Sequence, residues 1–183
     1  MMDAIGDTRR WMERAVIGLN LCPFAKAVVN KGQVRMVLSE ARDEVALLAQ
    51  LGEELLHLRD TPATDTDTTL IVHPHVLQDF LDYNDFLDVT DGLVEELGLE
   101  GVLQVASFHP QYRFAGSDPD DIANFTNRSP WPTLHLLRED SVSRAVEAFP
   151  DPDGIVERNI ETLRKLGHSG WQELFQDPQE SQG

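Results

Sequence analysis

Thr69-Leu70-Ile71-Val72-His73-Pro74-His75 is the stretch on which the reading of this chain turns. The compact run Thr69 to Val72 is too short for a buried helix and suits a buried strand, which Pro74 closes. Beyond it, residues 76–97 place Phe80, Tyr83, Leu87, Val94 and Leu97 at helical spacing, and Gly98 and Gly101 punctuate the end. Val102-Leu103-Gln104-Val105-Ala106-Ser107-Phe108 and Thr133-Leu134-His135-Leu136-Leu137 follow as two further strands. Upstream, Val34-Arg35-Met36-Val37-Leu38 reads as a short strand. Ser39 is then expected to cap a helix whose Leu48, Leu51, Leu55 and Leu58 form a core stripe. A polar loop over residues 60–67 leads back to Thr69.

The first helix should start from an N-cap at Asp7 or Thr8 and reach about Leu19, with Trp11, Ala15 and Leu19 on one face. Leu21-Cys22-Pro23-Phe24 ends it. After Glu139 two helices are expected. The second has Asp151 as N-cap, Pro152 in the first turn, Ile155, Ile160 and Leu163 inside, and Gly167 as its stop. The order is therefore α-β-α-β-α-β-β-α-α, an α/β class. Strand–helix–strand connections make the first three strands parallel with right-handed crossovers. A returning fourth gives a mixed four-stranded sheet, three strands parallel and one antiparallel, covered by helices. One domain over residues 1–175 and a disordered acidic tail over residues 176–183 account for the chain.

With 183 residues, 41% hydrophobic and 26% charged, the composition is that of a globular domain able to bury its own core. Fifteen Lys and Arg face 32 Asp and Glu, a formal charge of −17. That balance argues against nucleic acid and anionic membrane surfaces as partners, because both need basic footprints. Residues 1–31 alone run the other way, with 5 basic and 3 acidic side chains. Between Asp60 and Tyr112 there are 11 acids and no Lys or Arg. Asp79, Asp82, Asp85 and Asp88 form a stripe read as solvated rather than calcium-binding, since EF-hand spacing and glycine are missing. No apolar run approaches the roughly 18 residues of a membrane span, and the start lacks a secretory pattern. A single cysteine, Cys22, excludes an intrachain disulfide and fits a reducing cytosol. A cytoplasmic protein is expected.

Ligands of open sheets bind outside the carboxyl ends of parallel strands. His73 and His75 follow the second strand there, and His109 follows the third. The 24-residue connection over residues 109–132 is long for a compact domain and carries Tyr112, Arg113, Phe114, Asn127, Arg128 and Ser129. Arg113 and Arg128 are the only cations between Arg59 and Arg138. A guanidinium fork suits a carboxylate or phosphate, although nearby Asp118, Asp120 and Asp121 offer ordinary ion pairs instead. His73, His75 and His109 supply the residue types of a divalent-metal site, and strand-end hydrogen bonding is the competing reading. No cofactor is otherwise predicted. Cys22 with His109 and Asn127 has the composition of a thiol–imidazole–amide triad. Its place after a helix C-terminus, beside proline and between Leu21 and Phe24, suits a buried small hydrophobe instead. Patterns of serine hydrolases, P-loops, dinucleotide sites and zinc proteases are missing.

Three segments together resemble a known family. Leu19-Asn20-Leu21-Cys22-Pro23-Phe24-Ala25, Ser107-Phe108-His109-Pro110-Gln111-Tyr112-Arg113-Phe114 and residues 127–139, from Asn127-Arg128-Ser129-Pro130-Trp131-Pro132 through Glu139, look like the bacterial family catalogued as domain of unknown function 1415. The resemblance covers nearly the whole chain and implies a small bacterial single-domain protein. It brings no activity, cofactor or catalytic residue.

From the residues, the leading expectation is an enzyme acting on an anionic metabolite at the strand ends. Arg113 and Arg128, with Ser129, would hold the anion, and His109 would act as general acid or base. Tyr112 and Asn127 would orient substrate, with Cys22 joining if it lies beside the cleft. The alternative is a non-catalytic protein binding a ligand or a protein partner through Phe114, Phe125 and Trp131. A histidine-ligated metal enzyme is the third reading.

Overall fold

Along the chain run α1 (Ala4–Trp11), a π-helical turn (Met12–Ile17), α2 (Ala25–Asn30), β1 (Val34–Leu38), α3 (Glu44–Asp60) and β2 (Thr68–Val72). They are followed by α4 (Phe80–Glu96), β3 (Leu103–Phe108), a 3-10 segment (Ile122–Asn127), β4 (Thr133–Arg138), α5 (Glu139–Ala148) and α6 (Pro152–Glu173). The computed structural model describes residues 2–149 and 151–176. Residues 177–183, nearly all of the expected acidic tail, lie outside the described residues.

Part of the acid excess is spent on starting helices, because a carboxylate at an N-cap accepts otherwise orphaned backbone N–H groups and meets the positive end of the helix dipole. Asp3 accepts from Gly6 N (2.9 Å) at α1, Asp43 from Ala46 N (2.8 Å) at α3 and Asp79 from Leu81 N (2.9 Å) at α4. Asp151 caps α6 as expected, accepting from Gly154 N at 3.1 Å. Two expected caps give way to these acids. Thr8 is already inside α1, its hydroxyl donating to Ala4 O (2.7 Å), and Ser39 lies in the turn before α3, where it accepts from Ala41 N. The helix expected over residues 76–97 starts only at Phe80, since residues 74–79 form a turn in which Leu77 has a positive φ of 60°. At Gly167 (φ 71°, ψ 175°) the helical path breaks as expected, yet winding resumes beyond it and buries Trp171.

The sheet order is β1-β2-β4-β3. β1 and β2 are parallel, and β4 pairs antiparallel with both β2 and β3, so three strands run one way and one returns in an open mixed sheet. The insertion of β4 between β2 and β3 brings the carboxyl ends of β1, β2 and β3 and the start of β4 to one edge. Alternation of side chains across the pleat then divides the core. Ile71, Leu103, Leu134 and Leu136 meet Leu51, Leu55, Tyr83 and Phe86 of α3 and α4 on one face. Leu70, Met36 and Phe108 meet Trp11, Ala15 and Leu163 of α1, the π turn and α6 on the other. Asp82, Asp85 and Asp88 are solvent-exposed, in keeping with a solvated stripe. No helix among the described residues is long and apolar enough to cross a membrane.

Candidate functional site

The strand-end edge is occupied differently on its two sides. Under α4 lie the histidines. His109 is fully buried, and Gln111 N donates to its Nδ1 (3.0 Å). That fixes the proton on Nε2, which donates to Leu77 O at 3.0 Å. Burial pushes the His109 pKa below its ordinary value, against the pull of the Leu77 carbonyl and Asp79. Both nitrogens are therefore committed to backbone. His73, also fully buried, donates from Nδ1 to Val76 O (3.0 Å), and its Nε2 has no partner. Burial holds its pKa down at about 4. The two rings flank Tyr83, with centroids 5.8 and 4.8 Å from the phenol ring. The Tyr83 hydroxyl donates to Thr133 O (2.7 Å) and accepts from Phe108 N (3.1 Å), tying β3 to β4 where they meet the loop.

The remaining expected site residues are dispersed. His75 turns to Glu40, Nε2 to Oε2 3.7 Å. Among the described residues no group of three or more His, Cys, Asp or Glu side chains could hold a metal ion, and His73, His75 and His109 do not converge on one. Asn127 donates from Nδ2 to Ser107 O (3.2 Å), while its backbone carbonyl accepts from His109 N (3.1 Å), so it shapes the loop. Tyr112 sits between Phe80, tilted at 57°, and Phe114, met edge to face at 73°. Arg113 is exposed and points to no described partner. Cys22 is exposed, which corrects the expectation of a core cysteine. The π turn ends so that Leu21 takes the buried position, its carbonyl held by Asn159 Nδ2 at 2.8 Å, and Cys22 is left outside.

On the opposite side of the sheet the same edge opens into a cleft of about 380 Å³. One wall is α1, through Asp7, Arg10 and Trp11. A second is the β3–β4 connection, through Pro110, Phe125, Arg128, Ser129 and Pro130, and the third is the segment beyond Gly167, through Trp171 and Phe175. Arg128 is fixed by donating from Nε to Tyr112 O (2.9 Å) and from Nη2 to Pro119 O (2.6 Å), and its guanidinium lies 4.5 Å from the Phe125 ring centre. Nη1 is left over from these bonds. Burial lowers its pKa and Asp120 opposes that, but a guanidinium stays charged throughout the working range. The arginine thus uses backbone carbonyls to hold its position, where ion pairs with Asp118, Asp120 or Asp121 were the competing expectation. Ser129 Oγ donates to Trp131 O (2.6 Å), and Asp7 accepts from Trp131 Nε1 (3.0 Å), which pins the first two walls together.

Of the expected site residues, then, Arg128 and Ser129 line one cleft, and His109, Tyr112, Asn127, Arg113 and Cys22 do not. Sequence reading missed Asp7, Arg10, Trp11, Trp171 and Phe175. A signal for Arg10 was present in the basic balance of residues 1–31 within an otherwise acidic chain. Trp171 and Phe175 lie past the glycine at which the helix was expected to stop.

A family model described as protein of unknown function (DUF1415) matches residues 3–173 of the chain. No curated protein and no solved structure matches it.

Proposed function

Since the chain belongs to the family described as protein of unknown function (DUF1415), a membership that brings no reaction with it, we propose from its own residues that it binds a small anionic molecule in the cleft between α1, the β3–β4 connection and the end of α6. The observation that carries this reading is the presence of both Arg10 and Arg128 in the lining of one aromatic-walled cleft in a protein of net charge −17. Against so acidic a background, two guanidinium groups on one concavity select anions by contrast with the rest of the surface. The volume falls within the usual range of small-molecule pockets.

Binding is favoured over turnover by what the cleft lacks among its described lining. Arg10, Arg128, Asp7 and Ser129 are its polar side chains, with Asp7 and Ser129 already bonded to Trp131. A general acid or base must reach the reacting proton. His109 is on the other side of the sheet with both nitrogens engaged, so it serves the fold of the loop in this reading.

The test is thermal unfolding of the full chain in the presence of millimolar organic carboxylates and phosphates, each beside its neutral amide or alcohol. Ligands that bind only the native state raise Tm. Anions should raise it, neutral counterparts should not, and Arg10→Glu should cancel the effect. An equal response of the wild type and Arg10→Glu refutes the reading.

A further inference from the structure

We infer that the ligand of this cleft is a planar aromatic monocarboxylate of one or two fused rings, an inference that rests on the anion-binding reading above and goes on to name the class. Three features of the lining carry it.

The first is the nature of the walls. Trp11, Phe125, Trp171 and Phe175 supply four aromatic rings to one cleft. Phe125 and Trp171 meet edge to face at 5.3 Å and 88°, and Trp171 meets Phe175 at 5.5 Å and 68°. Trp11 and Trp171 are buried behind the wall, while Phe125 and Phe175 are half-buried. The two phenylalanines, held edge to face by the Trp171 indole, are therefore the rings that an incoming flat ring can stack on or meet edgewise, the two arrangements aromatic pairs prefer. A saturated ring of equal bulk fills the same volume without either.

The second is size. A cavity near 150 Å³ accepts benzene, and this one is about 380 Å³. A bicyclic ring system with a carboxylate fits, leaving room for a few waters at the mouth.

The third is charge. Within the described lining the titratable side chains are Arg10, Arg128 and Asp7, one positive charge in excess. Asp120 acts on Arg128 from outside the lining, which lowers the need for a second anionic charge further. Asp7 cannot swing away at no cost, because its carboxylate holds the indole N–H of Trp131 at 3.0 Å. A ligand with a single negative charge neutralises the cleft, whereas a second meets the fixed aspartate. A phosphate monoester carries between one and a half and two negative charges near pH 7, so a carboxylate is the better match.

Isothermal titration calorimetry of the full chain with four probes separates these features. The probes are 2-naphthoate, its neutral amide 2-naphthamide, the saturated decahydro-2-naphthoate, and 2-naphthyl phosphate. The expected result is one 2-naphthoate per chain, with each of the other three bound at least tenfold more weakly. Arg10→Gln, on the exposed surface of α1, should weaken 2-naphthoate about tenfold, and Phe175→Leu should do so while leaving decahydro-2-naphthoate unchanged. Equal affinity for the saturated acid overturns the aromatic assignment and leaves the anion reading standing. Equal affinity for the amide overturns both, and tighter binding of the phosphate overturns the monocarboxylate. Binding of 2-naphthoate unaltered by either variant places the ligand elsewhere and refutes the proposal, as does the absence of any heat with all four probes.

Discussion

Lowering the pH from 7.5 to 5 should cost this protein about 4 kcal/mol of folding stability through two histidines alone. His73 and His135 are each held neutral by burial, with pKa values lowered to about 4. In the unfolded chain both return to about 6.5. A folded pKa below the unfolded one means that the unfolded state binds more protons at every pH between the two. The stability these groups contribute is therefore complete above about pH 7, declines as the pH falls through 6.5, and stops declining near 4, where the native state takes up the proton too. For a shift of this size the loss between pH 7.5 and 5 is about 2 kcal/mol per group. His109, displaced in the same direction by its own burial, adds to it. Two such groups remove a large share of the 5–15 kcal/mol that holds an ordinary domain together. The bonding explains why neither ring accepts a proton readily. On His73 it would go to Nε2, which has no acceptor nearby. The Thr68 hydroxyl donates to Leu136 O (2.6 Å), so His135 must already donate from Nε2 to Thr68 Oγ1 (2.8 Å), and a second proton on Nδ1 would charge a buried ring. Urea unfolding at several pH values between 7.5 and 5 measures the loss. His73→Asn keeps a donor near Nδ1 and His135→Gln one near Nε2. Each variant should start less stable at pH 7.5 but show a pH dependence flatter by about 2 kcal/mol over the window. A slope identical to that of the wild type in both variants refutes the assignment.

Three further outcomes follow from single contacts. Tyr83→Phe removes the hydroxyl between Thr133 O and Phe108 N and should cost about 2 kcal/mol in urea unfolding, with faster amide hydrogen exchange at Phe108. Arg138→Met deprives the carbonyls of Leu58, Thr61 and Thr66 of one shared donor, Nη2 at 2.9, 2.7 and 2.7 Å, and should cost about 3 kcal/mol, which Arg138→Lys recovers only in part. Gly167→Ala forces a Cβ into a left-handed turn and should cost about 1 kcal/mol, with a shift in tryptophan emission because Trp171 lies four residues beyond.

What the sequence made legible were features with a local cause. The four strands show in short apolar runs between turn residues, and the returning direction of β4 follows from the lack of a helical crossover between it and β3. Helix starts were less legible. Ser, Thr and Asp are nearly equivalent as caps in isolation, and the choice of Asp3 and Asp43 over Thr8 and Ser39 depends on where the rest of the chain lets the helix begin. The exposure of Cys22 was hidden for a similar reason. Leu21 and Cys22 are adjacent, only one of them can face the core, and the π winding of residues 12–17 decides between them.

The proposed cleft lies at the sheet edge to which the sequence points but is lined largely by other residues, and the cause is the two-residue period of the strand. His109 and Arg128 both belong to the β3–β4 connection, and both sit at the edge where ligands of such sheets bind. Phe108 and His109, however, are consecutive at the end of an extended strand, so their side chains leave on opposite faces. Phe108 packs with Trp11 on the cleft side, and His109 goes under α4 to Tyr83 and Leu77. Once that is fixed, no loop geometry brings the imidazole to Arg128. The residues that line the cleft with the arginine come from the two ends of the chain, Arg10 and Trp11 from the first helix and Trp171 from the last. They share its cleft because both helices cover the same side of the sheet. A one-residue slip of β3 would have placed the histidine in the cleft and a phenylalanine under α4. Whether the histidine or the phenylalanine faces the proposed anion cleft is thus set by the register of a single edge strand against β4, in which Phe108 pairs with Thr133.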